Sequence, residues 1–127
     1  MPESATLPAL GARFVEALAA KDATRLGAVL HPEVDFRGLT PNRFWEAQDR
    51  DAALEIVLGE WFGPSDELED LVLAEVDVVA DREQLRFRFR GRNADGPFVV
   101  EQQAYLSERD GSIGWMRVVC SGMRPAV

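Results

Sequence analysis

Between Asp81 and Gly122 the chain writes three consecutive strand segments, and their pairing constrains the fold more than any other feature. Leu85, Phe87 and Phe89 alternate with Arg86, Arg88 and Arg90, the period-two pattern of a half-buried strand. Turn signals at Asp81-Arg82, Asn93 to Gly96 and Asp110-Gly111 join neighbouring segments into hairpins. Together with the segment before them, they predict strands over about 68–80, 83–93, 97–108 and 112–122.

The first half reads as helices. Leu7, Leu10, Phe14 and Leu18, with Val15 beside them, recur at helical spacing. Asp22 suits the N-cap of a short second helix carrying Leu26, Val29 and Leu30, which His31-Pro32 ends. Val34 to Arg37 alternates as a short strand, and Gly38 to Asn42 reads as loop. A third helix begins near Asp49, carries Leu54, Val57, Leu58 and Trp61, and stops at Gly63-Pro64. Helices followed by hairpin-linked strands predict one α+β domain over residues 1–127, with helices covering one face of the sheet.

Asn93-Ala94-Asp95-Gly96 suits a type I turn followed by a glycine bulge, which sets Asn93 opposite Pro97. Phe87 then lies opposite Gln103, Phe89 opposite Glu101 and Leu85 opposite Tyr105. A two-residue loop would reverse every one of these assignments. A tight turn at Asp81-Arg82 sets Val76 opposite Phe87 and Val78 opposite Leu85, with Asp77 against Arg86 and Glu75 against Arg88 on the other face. Carried onward, the inner face gains Met116, Val118 and Cys120. The outer face holds Val100, Gln102, Ala104, Leu106, Trp115, Arg117 and Val119. That face is too apolar for water, and a homodimer through it is expected, with a packed helix or tail as the alternative.

The 14 basic and 22 acidic residues sum to −8, which disfavours nucleic acid and anionic membrane surfaces as partners. Lys21 is the single lysine, and arginine-rich usage points to a GC-rich, bacterial source. With one cysteine, Cys120, and one histidine, His31, neither an internal disulfide nor a thiolate metal site is expected. No signal peptide or membrane span is read in the sequence, so a cytoplasmic protein is expected.

The run from Ala12-Arg13-Phe14 to Leu30, the strand Val34 to Arg37, and Asp110-Gly111-Ser112-Ile113 opening the last strand resemble the NTF2-like superfamily, particularly its SnoaL-like and ketosteroid-isomerase branch. The resemblance implies a cone-shaped α+β fold, three amino-terminal helices on a curved, mixed but mostly antiparallel sheet. It also implies a pocket, frequent homodimerisation through the sheet, and no metal or organic cofactor. Matched without gaps, the isomerases' oxyanion tyrosine falls on Phe14. Their catalytic aspartate falls on Gly38, or on Asp35 if the loop shifts, and their second acid falls on Gln103. Isomerisation by that route is not expected.

In the inner-face reading Glu101 sits among Phe87, Phe89 and Met116. Desolvation would raise its pKa toward neutrality and suit it to acid or base work. The alternative places it at the strand mouth, in water or paired with Arg13 or Arg90. Gln103 and Tyr105 could each donate to a ligand carbonyl, or be satisfied internally. The expected pocket lining is Phe14, Phe36, Trp45, Trp61, Phe87, Phe89, Gln103, Met116, Val118 and Cys120. Arg43-Phe44-Trp45-Glu46 would lid that pocket or fill a core gap, and Trp61-Phe62 would form wall or core. Asp35 and Arg37 read as an outward pair, and His31 as a helix-end cap. Two function classes stay open: a domain that only binds a partly hydrophobic organic molecule, and a cofactor-independent isomerase, cyclase or hydratase using Glu101.

Overall fold

A computed structural model describes residues 9–126. Leu7 of the first helical stripe lies outside them. Helix α1 (Leu10–Ala19) buries Leu10, Phe14, Val15 and Leu18, the expected face. Helix α2 (Ala23–Val29) starts where the Asp22 carboxylate accepts the Arg25 N–H at 3.1 Å. Helix α3 (Arg50–Leu54) is capped in the same way, by Asp49 accepting from Ala52 N–H at 2.8 Å. From Glu55 to Trp61 the helix widens to π geometry, a form concentrated at functional sites. The four-residue step from Val57 to Trp61 fits α and π windings alike, so it does not separate them.

The strands are β1 (Leu30–Thr40), β2 (Arg43–Ala47), β3 (Glu67–Val79), β4 (Arg82–Asn93), β5 (Gly96–Arg109), β6 (Ser112–Cys120) and β7 (Arg124–Pro125). They form one sheet in the order β2-β1-β6-β5-β4-β3, with β7 added beside β5. Every pairing is antiparallel except β1 with β6. Three helices on a mixed, mostly antiparallel sheet is the expected architecture. Two short-range expectations give way: Gly38 to Thr40 continues β1, and Arg43 to Ala47 is a strand paired with it.

The β4–β5 register corrects the face assignment of β5. Asn93 lies opposite Gly96, so Phe87 faces Gln102, Phe89 faces Val100 and Leu85 faces Ala104. Gly96 takes φ 107, a left-handed conformation suited to glycine, at the hairpin corner. The physical cause lies in β5 itself. In this register Phe98, Val100, Ala104 and Leu106 point inward, each no more than 4% exposed. A slip by one residue would turn them out and bury the Glu101 carboxylate. The β3–β4 register differs by two residues, which preserves the faces: Val76 lies opposite Leu85, and Glu75 opposite Arg86.

The core lies between α1, α2, the π segment and the inner sheet face. An aromatic chain crosses it, with centroid separations of 6.4 Å for Phe14–Phe87, 5.6 Å for Phe87–Phe89 and 6.2 Å for Phe62–Phe89. Burying each ring contributes about 1.5–3 kcal/mol. This packing fills the deep part of the sheet's hollow and leaves space at one end.

Candidate functional site

Glu101, Gln103 and Tyr105 do converge, lining one hollow with Arg117, Val119 and Ser121, but on the outer face. There Arg88 donates to Glu101 Oε1 from Nε at 3.0 Å and from Nη2 at 2.8 Å. The Arg88 hydrogen bonds hold the Glu101 carboxyl below its usual range, opposing a smaller desolvation effect, with Gln103 and Arg86 adding to the lowering. A carboxylate kept charged is the opposite of the neutral acid expected from a buried setting. The sequence signal for this was the misplaced apolarity of the expected outer face, Leu106 above all.

Other expected residues divide by depth. Phe14, Phe36, Phe87, Phe89, Met116 and Val118 are packed in the core at 3% exposure or less. Asp35 and Arg37 point outward as expected. Arg37 Nε contacts Glu46 at 3.1 Å, and Arg117 Nη2 donates to Asp35 Oδ2 at 3.2 Å. His31 Nδ1 accepts the Glu33 N–H at 2.9 Å, and its Nε2 lies 3.4 Å from Asp110. Gly38, where a catalytic aspartate was aligned, faces inward against the Trp61 ring.

Trp45, Trp61 and Cys120 border a cavity of about 270 Å³ at the open end of the sheet. Thr40, Glu60, Phe62, Val100, Gly122 and Met123 complete its lining. The β1–β2 hairpin, the π segment, β5 and the turn after β6 each supply part of it. Trp45 stands fixed: its Nε1 donates to Thr40 Oγ1 at 2.9 Å, and Arg43 stacks 3.8 Å over its ring. Trp61 packs edge-on to Trp45 at 6.3 Å and against Phe36 at 5.6 Å. Among the described residues its buried indole N–H has no hydrogen-bond partner, and neither has the side-chain amide N–H of Gln102.

Gln102 is 2% exposed, lies directly across from Cys120 and sits two residues along β5 from Val100. Sequence reasoning missed it because the slipped register turned it outward. Hollows of about 520 and 400 Å³ on the outer face are larger, but they are lined by ion-paired residues such as Glu75, Arg86 and Glu101. Aromatic walls with a few convergent polar groups mark a ligand site better than volume does. Among the described residues no group of three His, Cys, Asp or Glu side chains is placed to hold a metal ion. No helix among them is long and apolar enough to cross a membrane.

No protein-family model matches the sequence, and no curated protein matches it. Solved structures do. A candidate isomerase from Rhodopseudomonas palustris is 18% identical over 92% of this chain and 93% of its own, with TM-score 0.75. A candidate polyketide cyclase from Sinorhizobium meliloti is 19% identical over 92% and 99%, with TM-score 0.60. A protein of ketosteroid isomerase-like fold from Catenulispora acidiphila, solved with trimethylamine, is 14% identical over 91% and 88%, with TM-score 0.62. At these identities the likeness establishes the fold: the chain has the ketosteroid isomerase-like, NTF2-like fold.

Proposed function

We propose that this chain binds a small, partly hydrophobic organic molecule in the cavity bordered by Trp45, Trp61, Phe62 and Cys120. One observation carries the reading. Trp61, 8% exposed, lines the space with a ring held by Phe36 and Trp45 and an N–H that has no partner among the described residues. Such an arrangement offers apolar walls and one orienting donor. Its test is a search for co-purified small molecules by native mass spectrometry, followed by titration of the emptied protein. Loss of binding in Trp61→Ala, with a native-like fold by circular dichroism, is expected. Failure of any small organic molecule to bind would overturn the reading.

A catalytic version is supported by Glu60, the one carboxylate among the described residues that line the cavity. An isomerase, cyclase or hydratase on this scaffold would move its proton through Glu60, since Glu101 is engaged with Arg88 on the other face. Glu60→Gln then abolishes turnover while sparing ligand affinity; equal loss of both would count against a proton-transfer role.

The outer face supports association with a second copy. Phe44, Leu39 and Val119 stand side by side across β2, β1 and β6, at 57%, 50% and 57% exposure. These residues replace Val100, Ala104 and Leu106, which are buried inside. A dimer at micromolar concentration by light scattering, converted to monomer by Val119→Glu, is the expected result. A monomeric wild type would end the proposal.

A further inference from the structure

Cys120 carries the one thiol of the chain, and it stands where a molecule in the cavity would meet it. On β6 it follows Met116 and Val118 at alternating positions of the inner sheet face. Those two are buried, whereas Cys120 is half-buried and borders the open space. The Gly122 N–H donates to Cys120 Sγ at 3.4 Å, which holds the side chain in place. With no second cysteine in the sequence, the sulfur is free of any internal disulfide. Trp61 marks the same space as a ligand site independently of the thiol. It lines the cavity at 8% exposure with an indole N–H that has no partner among the described residues.

We propose that Cys120 captures a small, apolar, electrophilic alkene in the cavity by conjugate addition, an α,β-unsaturated ketone being the class that fits. The inference rests on the cavity being the binding site and deepens that reading. In this step a bond forms between Sγ and the β-carbon, the C=C π bond breaks, and the thiol proton ends on the α-carbon. Nothing is oxidised or reduced and no group leaves, so the step needs no further reactant. Cysteine is the most nucleophilic of the common side chains near neutral pH, and its reactivity also requires access to the sulfur. The walls select the electrophile. Trp45, Trp61, Phe62, Val100 and Met123 favour an apolar body, and the Glu60 carboxylate disfavours an anionic one. A space of about 270 Å³ suits a single small ring. Holding such a ring beside the sulfur replaces a chance encounter by a reaction within one complex.

The test treats the full chain with cyclohex-2-en-1-one and uses cyclohexanone, which has no C=C bond to attack, as the matched unreactive ligand. Intact-mass spectrometry should show the addition of one enone to the wild type and none to Cys120→Ser. The rate should saturate with enone concentration, because binding precedes bond formation. At low concentration it should exceed that of N-acetylcysteine at the same pH by about tenfold or more. Cyclohexanone should slow the reaction competitively, and Trp61→Ala, with a native-like fold by circular dichroism, should make the rate linear in enone. A wild-type rate that is linear, equal to that of N-acetylcysteine and indifferent to cyclohexanone would show an ordinary exposed thiol and overturn the inference. Cyclohexanone binding without any adduct on Cys120 would also overturn it, while leaving the cavity reading intact. If neither ring binds and no adduct forms, the cavity reading fails, and the inference goes with it.

Discussion

Glu83 and Gly11 meet across the fold: a carboxylate at the start of β4 accepts the Gly11 N–H at 2.9 Å through Oε1. It also accepts the Leu10 N–H at 3.3 Å through Oε2. Helix α1 begins after Ala9, which offers no side-chain acceptor, so the cap arrives from the sheet instead. A negative group at a helix N-terminus satisfies orphan donors and complements the helix dipole. Glu83→Ala should therefore destabilise the fold by about 1–2 kcal/mol in urea titration. Glu83→Gln should cost roughly half as much, since an amide keeps one acceptor but no charge. Equal stability of all three proteins would show that the contact contributes nothing.

The Arg88–Glu101 pair predicts a pH dependence with a definite sign. Its folded-state pKa is lowered from the ordinary 4.5, so the folded protein holds the charged form more strongly than the unfolded chain does. The pair's contribution is therefore complete above that value and is lost as pH falls through the lowered folded value. With Glu101 26% and Arg88 45% exposed at the side chain, it amounts to about 0.5 kcal/mol. Urea titrations of wild type and Glu101→Gln should differ by a constant amount near neutrality and converge in acid. A difference that grows in acid would contradict the assignment.

Much of the architecture was legible because local signals agreed. Asp22 and Asp49 announced two helices, and the Phe/Arg alternation of β4 announced its faces. The register of β5 was not, because Asn93-Ala94-Asp95-Gly96 accommodates loops differing by one residue. Its faces alone decide: one choice buries Phe98, Val100, Ala104 and Leu106, the other buries Val99, Glu101, Gln103 and Tyr105. That comparison favours the observed register and removes the acid from the interior. The cavity itself was less readable, since Thr40, Glu60 and Met123 come together only through the β1–β2 turn, the π winding and the turn after β6.

Lys21 fastens the segment that follows the cavity wall. Its Nζ donates to the Gly63 carbonyl at 2.5 Å and the Asp66 carbonyl at 2.6 Å, from a backbone position with φ 49. Asp66 in turn accepts from Asn93 Nδ2 at 3.0 Å and from the Gly63 N–H at 3.1 Å. Lys21→Met should cost about 1–2 kcal/mol, because part-buried carbonyls lose a charged donor. Hydrogen exchange should rise at Gly63 and Asp66 with little change in β6. Uniform loss of protection throughout would point to a global effect instead.

Gly38 makes room for Trp61, and this contact gives the sharpest test of the site. A Cβ built at Gly38 would come within 2.6 Å of Trp61 Cζ2 and closer still to Cη2, which no rotamer of alanine can relieve. Gly38→Ala must therefore displace the indole from its place between Phe36 and Trp45. Overpacking of this kind costs about 1–3 kcal/mol. The expected result is a lower urea midpoint, a shifted tryptophan emission maximum, and loss of binding at the cavity. Trp61→Phe combined with Gly38→Ala should recover part of the stability, because the smaller ring vacates the clashing volume, but should not recover binding at the cavity. Full stability in the single variant would mean that Trp61 has another place to go and is not a fixed wall of the site.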